Sequence, residues 1–185
     1  HKRIALKILS WVGGSPFRIL LGFMLASAFL SMWMSNTATT MMMLPIVFSV
    51  TSALEETHGE EKLGKLGTAL LLGVAYSCSA GGVSTLVGTP PNLSFVRIFE
   101  IIYPNAPEIA FGQWVVFALP LSFIMLGIVL VVLHVLFPAN KELEVLDKSF
   151  FKKNYHELGP ISVNEIRVLW LFVTLVVLWV FRKPI

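Results

Sequence analysis

The chain has 185 residues, of which 56% are hydrophobic and only 14% charged, and its mean hydropathy is +0.78. Soluble domains carry about 25% charged residues, so this balance excludes an ordinary water-soluble domain and implies an integral membrane protein. The net charge of +3, with Lys and Arg dispersed between apolar runs, excludes a nucleic-acid surface. The lone Cys78 excludes an intrachain disulfide.

His1 to Trp11, with Lys2, Arg3 and Lys7 set against Ile4, Leu6, Ile8 and Leu9, reads as a basic amphipathic helix lying in the membrane interface over residues 1–15. The plainer alternative is the tail of a preceding span. The first residue is not Met and no signal peptide opens the sequence, so a piece of a longer protein is expected. Gly13-Gly14-Ser15-Pro16 breaks this segment, and Pro16 suits the first turn of the next helix.

From Ile19 to Leu54 no charged residue occurs. This run of about 36 residues would reach roughly 54 Å as one helix, far beyond the 20 or so residues that cross a bilayer. It must double back, and its only polar, helix-interrupting centre is Ser35-Asn36-Thr37. The spacing predicts a re-entrant hairpin over residues 16–54, with arms at about 16–34 and 38–54 and Pro45 disturbing the second. Polar backbone at such depth is tolerated where it is buried in protein or lines a cavity, which makes the tip a candidate binding site.

Residues 55–65 read as a charged loop. A second apolar segment, 64–103, is rich in small residues and is interrupted from Gly81-Gly82 to Asn92; it reads as one discontinuous span. A plain span follows at 113–137, then a polar, basic arm at 138–162, then a last span at 163–181. Basic loops place the N-terminal segment, the loop after the hairpin and the 138–162 arm on the cytoplasmic side. Only a hairpin that enters and leaves by one face fits that count; Arg182-Lys183 falls on the wrong side.

A helix ending inside the membrane exposes unpaired carbonyls that favour a cation, and a helix beginning there exposes N–H groups that favour an anion. Ser31 and Ser35 lie one turn apart, Asn36 adds a carbonyl and an amide, and Thr37 adds a hydroxyl. At the other break, Gly81-Gly82 end one half-helix and Thr89 with Pro90-Pro91 starts the next. No Asp or Glu falls between Ile19 and Leu54 or between Leu66 and Phe99, which favours Na⁺ over a proton relay or a divalent-metal cage. The bland readings are hydroxyls bonded back to their own helices and glycines that serve packing alone.

Ser35-Asn36-Thr37, followed by Ala38-Thr39-Thr40 and the Met41–Met43 run, resembles the Ser-Asn-Thr signature of the divalent-anion:sodium symporter family. Gly81-Gly82 through Gly88-Thr89-Pro90-Pro91-Asn92 is similar to that family's broken helix. The resemblance implies an all-α membrane protein with a re-entrant hairpin and a discontinuous helix, part of an inverted-repeat secondary transporter. This chain would hold most of the first repeat and, at 163–181, the first scaffold helix of the second. It further implies Na⁺ held by Ser31, Ser35, Asn36, Gly82 and Ser84, and a substrate carboxylate met by Asn36, Thr37 and either Ser84 or Thr85. No other metal or cofactor and no enzymatic activity is implied. The expected partners are a di- or tricarboxylate such as succinate, malate, fumarate or citrate, Na⁺, the lipid bilayer, the remainder of the transporter chain and a second copy in a homodimer. The expected location is a bacterial inner membrane, and the mechanism an elevator-type alternating access. A sulfate carrier of the same family, an ion-channel subunit and an intramembrane enzyme are the rivals; the last has no acid or base near Ser84 or Cys78 except distant His134.

Overall fold

The computed structural model describes residues 3, 5–8, 15–59, 63, 65–138 and 155–181. Six helices carry the fold: α1 (Pro16–Ser31), α2 (Asn36–His58), α3 (Leu66–Val83), α4 (Pro90–Ile102), α5 (Phe111–Leu136) and α6 (Val163–Phe181). Among the described residues there is no strand. Three of the helices, α2 over Asn36–Glu56, α3 and α5, are long and apolar enough to cross a membrane.

Glycine contacts give the register. Gly73 packs on Leu20 and Met24 while Gly81 packs on Ala28, so α3 runs parallel to α1. Gly67 meets Thr51 and Gly82 meets Asn36, so α3 runs antiparallel to α2. Gly73 also meets Leu133, and the Trp114 indole reaches the Val83 carbonyl, so α5 descends antiparallel to α3. The core lies between α1, α2 and α3, where Phe23, Met24, Met43, Val47, Leu70 and Val74 are almost wholly shielded. The outer faces of α5 and α6 carry exposed Phe, Ile, Val and Leu, as lipid-facing surfaces do.

Several boundaries differ from the sequence expectation, each for a local reason. Ser15 caps α1 by accepting from the Arg18 N–H (3.4 Å), and α1 ends at Ser31, leaving a four-residue turn, 32–35. Helix α2 begins at Asn36 and continues through Glu55 and Glu56 to His58, stopping where Gly59 takes φ 82°. The charged stretch is therefore helical in its first turn and becomes a loop only at Gly59. Gly81 and Gly82 lie inside the last turn of α3, and the break is only the six residues 84–89. Glycine's low helix propensity is overridden here by contact with α1. A Cβ on Gly81 would stand 2.2 Å from the Ala28 carbonyl oxygen and 2.5 Å from its Cα, so no larger residue fits.

That contact gives a first test. Gly81→Ala is expected to prevent the folded protein from accumulating, because two backbones would have to part. Gly127→Ala, with nothing within 4 Å of the new methyl, is expected to be neutral or stabilising by up to about 1 kcal/mol, the helix preference for Ala. Yield of monodisperse protein after detergent extraction, followed by thermal melting, reads both.

Of the N-terminal segment, residues 5–8 are helical, Ala5 and Leu6 are buried in the core, and Ile8 shares a cavity wall with Leu25, Ala28 and Met32. The rest of the segment read as an interfacial helix, residues 1, 2, 4 and 9–14, lies outside the described residues. Arg3 donates to the carbonyls of Gly159 (2.9 Å) and Leu158 (3.3 Å) and pairs with Glu165 (3.3 Å). Glu165 in turn forms a capping box with Ser162, which starts α6. The basic arm falls largely outside the described residues, since 139–154 are not among them.

Candidate functional site where the hairpin tip meets the helix break

The tip is built by two serines and an asparagine. Ser35 is the N-cap of α2, its hydroxyl accepting from the Ala38 N–H (3.3 Å) and its carbonyl from the Thr39 N–H (3.0 Å). The second of these is the first regular bond of the helix; of the N–H groups ahead of it, that of Ala38 is satisfied, while those of Asn36 and Thr37 have no partner among the described residues. Across the turn, the Ser31 hydroxyl donates to Asn36 Oδ1 (2.7 Å). Ser31 is fully buried, Asn36 half-buried, and Ser35 and Thr37 exposed.

The break in α3–α4 closes onto this tip. Thr85 donates its hydroxyl proton to the Met32 carbonyl and accepts from the Gly88 N–H (3.1 Å), so one buried side chain ties the two interruptions together. A Cβ on Gly82 would stand 2.4 Å from Asn36 Oδ1, and one on Gly88 would stand 2.9 Å from the Ser31 carbonyl. Both glycines are bare so that the end of α1 and the Asn36 amide can approach the end of α3.

Asn92, buried two residues into α4, holds the break from the other side. Its amide donates to the Thr85 carbonyl (2.7 Å) and the Gly82 carbonyl (3.0 Å). The Trp114 indole takes the Val83 carbonyl (3.0 Å). The orphan carbonyls at the end of α3 are thus largely engaged, although each retains a second lone pair. Thr89 is the N-cap of α4 as expected, but makes no side-chain capping bond, and Pro90-Pro91 removes two of that helix's free N–H groups. Donors for an anion therefore come from the start of α2, and the start of α4 supplies few.

Of the residues singled out from the sequence, Ser31, Asn36, Gly82 and Thr85 converge at the junction. Ser84 is buried but lies on the wall of a cavity of about 240 Å³ with Ala28, Met32, Leu119 and Ser122. Ser35 and Thr37 sit at the exposed rim of the tip. Gly88 and Asn92, quoted from the sequence only as part of the break, and Trp114, not singled out at all, are further junction residues. Asn92 carried a usable signal, an amide just after a Pro-Pro helix start in an apolar segment.

Chemically, the junction offers neutral oxygens: the Ser31 hydroxyl, Asn36 Oδ1 and the backbone carbonyls around Ser31 and Gly82. No cluster of His, Cys, Asp or Glu suited to a metal exists among the described residues. Such a set fits a monovalent hard cation better than Ca²⁺ or Mg²⁺, which call for carboxylates.

A helical hairpin whose tip meets the interruption of a discontinuous membrane helix is an arrangement that secondary transporters use to place polar backbone at membrane depth. The comparison with known proteins makes this specific. The citrate transporter family model matches residues 1–184, and the chain belongs to that family. It is 31% identical to the Na(+)/citrate cotransporter of Rattus norvegicus, with 100% of this chain matched to 41% of that protein. It is 34% identical to the sodium-dependent dicarboxylate transporter SdcS of Staphylococcus saprophyticus (99% of this chain, 36% of that protein). It is 36% identical to the sodium-dependent high-affinity dicarboxylate transporter 3 of Caenorhabditis elegans (100% and 34%). The resemblance to the divalent-anion:sodium symporters drawn from the two motifs therefore holds. The chain spans between about a third and two fifths of the length of these relatives.

Proposed function

We propose that this chain forms one half of the substrate site of a sodium-coupled carrier for di- or tricarboxylates. The observation that carries the reading is the junction itself, where Ser31 and Gly82 both meet Asn36 and Thr85 bonds the Met32 carbonyl of the same tip. Na⁺ is taken up by the Ser31 and Asn36 side chains, with Ser35 and carbonyls of the 81–84 turn completing the shell. Ser84, buried at the end of that turn, belongs to the same shell. The substrate carboxylate is met by the Asn36 and Thr37 N–H groups and the Thr37 hydroxyl at the rim. Thr85 acts as the tie that holds the two breaks in register. A bound cation next to those N–H groups strengthens their hold on the carboxylate, which couples the two ligands.

The printed names of the relatives, a Na(+)/citrate cotransporter and sodium-dependent dicarboxylate transporters, support the choice of ligands. Helix α1, with 16 residues, reaches only about 24 Å, short of a 30 Å hydrocarbon core, which supports a hairpin that re-enters rather than crosses. In this reading α6 begins the second repeat and belongs to the scaffold. Movement of the hairpin and α3–α4 against that scaffold, in a homodimer set in a bacterial inner membrane, supplies alternating access.

The test uses the full-length parent. Na⁺-dependent uptake of labelled succinate and citrate is expected, and Asn36→Ala is expected to lower it about a hundredfold, the loss of a partner worth up to ~3 kcal/mol to a charged ligand. Uptake of sulfate but neither carboxylate would reassign the substrate. Ion current independent of any anion would instead make the protein a channel.

A further inference from the structure

Three hydroxyls sit just inside the hairpin tip with nothing to bond. Ser27 Oγ on α1, Thr39 Oγ1 on α2 and Ser77 Oγ on α3 are fully shielded from solvent and have no hydrogen-bond partner among the described residues. The helix register puts them at one level. Gly81 on Ala28 sets Ser27 opposite Ala80; Gly82 on Asn36, with α2 antiparallel, sets Thr39 opposite Ser79; Ser77 lies one turn before Gly81. Along the helix axes the three are spread over about one turn, ~5 Å. The buried Cys78 lies at the same level on α3.

Helical Ser and Thr normally bond back to the preceding turn. Thr40 does so to the Asn36 carbonyl (2.8 Å), and Ser79 to that of Ala75 (3.4 Å). Ser27, Thr39 and Ser77 do not, and packing alone would be better served by Ala or Val, since a buried unpaired hydroxyl costs stability. Each offers two lone pairs and a proton free to rotate away. Three helices thus contribute oxygen at one level, and no Lys or Arg lies between Arg18 and Leu54 or between Leu66 and Phe95 to compete. The C-terminal ends of α1 and α3, within two turns of this layer, add the negative ends of two dipoles.

We infer that the Ser27–Thr39–Ser77 layer is an additional Na⁺ site, one turn deeper in the hairpin than Ser31 and Asn36; the inference rests on the sodium-coupled reading above. Occupancy there clamps α1, α2 and α3 together and so steadies the tip for the ions and substrate that follow, giving a steep dependence on Na⁺.

The full-length carrier carrying Ser27→Ala, Thr39→Val and Ser77→Ala, singly and together, tests this. Two curves are read against Na⁺, with K⁺ holding ionic strength constant: thermal stabilisation without substrate, and succinate uptake. The combined variant is expected to need about ten times more Na⁺ for half-maximal effect in both, with a shallower Na⁺ curve and uptake that recovers at high Na⁺. Isosteric Thr39→Val carries the same expectation in smaller degree if the combined variant does not fold. A folded variant whose two Na⁺ curves overlay the wild type's would overturn the inference and leave the hydroxyls as water sites or packing. A wild type that shows no Na⁺ response would instead overturn the sodium-coupled reading itself.

Discussion

Gly82→Ala in the full-length carrier is expected to leave a folded membrane protein that has lost at least about a hundredfold of its Na⁺-dependent uptake. An alanine inside a helix is ordinarily worth up to about 1 kcal/mol more than a glycine, so without a tertiary constraint this variant would gain stability. The constraint is the Asn36 amide, whose Oδ1 would lie 2.4 Å from the new methyl and whose Cγ would lie 3.3 Å away. The clash is with the end of a side chain, which can swing aside, and so the fold survives. To swing, Asn36 must give up the 2.7 Å bond from Ser31, and the oxygen pair proposed to hold Na⁺ comes apart. Gly67→Ala is the control: its methyl meets only Thr51 Cγ2 at 3.6 Å, an ordinary contact, and uptake is expected to stay near wild type. Melting of purified protein and uptake in proteoliposomes separate the two effects. Gly82→Ala retaining uptake within about twofold would remove Asn36 from the ion site.

The hairpin, its polar centre and the interrupted span are legible in the sequence because a membrane imposes strong length rules. An uncharged run too long for one crossing has to turn, and Ser35-Asn36-Thr37 is the only place where it can. That the two interruptions meet is also legible, since each needs polar partners that lipid does not provide. Finer details were set by tertiary contact and were not. Gly81-Gly82 looks like a helix stop by propensity, yet it continues α3 because the bare backbone packs on Ala28. Whether Ser84 or Thr85 faces the tip depends on a rotation of about 100° per helical residue, beyond what counting resolves. In the structure the Thr85 hydroxyl donates to the Met32 carbonyl of the tip, while Ser84 is buried among the residues around the cavity. Pro90-Pro91 was read as a good helix start, and it is, but the same two rings withhold the N–H groups that an anion would need. The hairpin tip, capped by Ser35, is left as the better anion end.

Asn92→Leu is expected to destabilise the carrier and to abolish transport along with it, in contrast to Gly82→Ala. Leucine is close to asparagine in size and suits a helix, so neither a large cavity nor a backbone effect enters. What is lost is the amide that donates to the Gly82 and Thr85 carbonyls (3.0 and 2.7 Å) in a buried part of the break. Each buried acceptor left without a partner costs about 1–3 kcal/mol, and two of them amount to a large fraction of the 5–15 kcal/mol that typically holds a domain. No water is available at this depth to substitute if the junction lies within the bilayer. Asn92→Asp is expected to be at least as damaging, because an ionised carboxylate cannot donate and would face two carbonyl oxygens. Trp114→Phe removes only the donor to Val83, so its effect is expected to be smaller. A melting temperature for Asn92→Leu within about 1 °C of wild type would show that the break is held by its loop conformation and by Thr85 alone. A fall of several degrees, with uptake lost in proportion, would show that the side chain next to the prolines keeps the ends of α3 and α4 facing the hairpin tip.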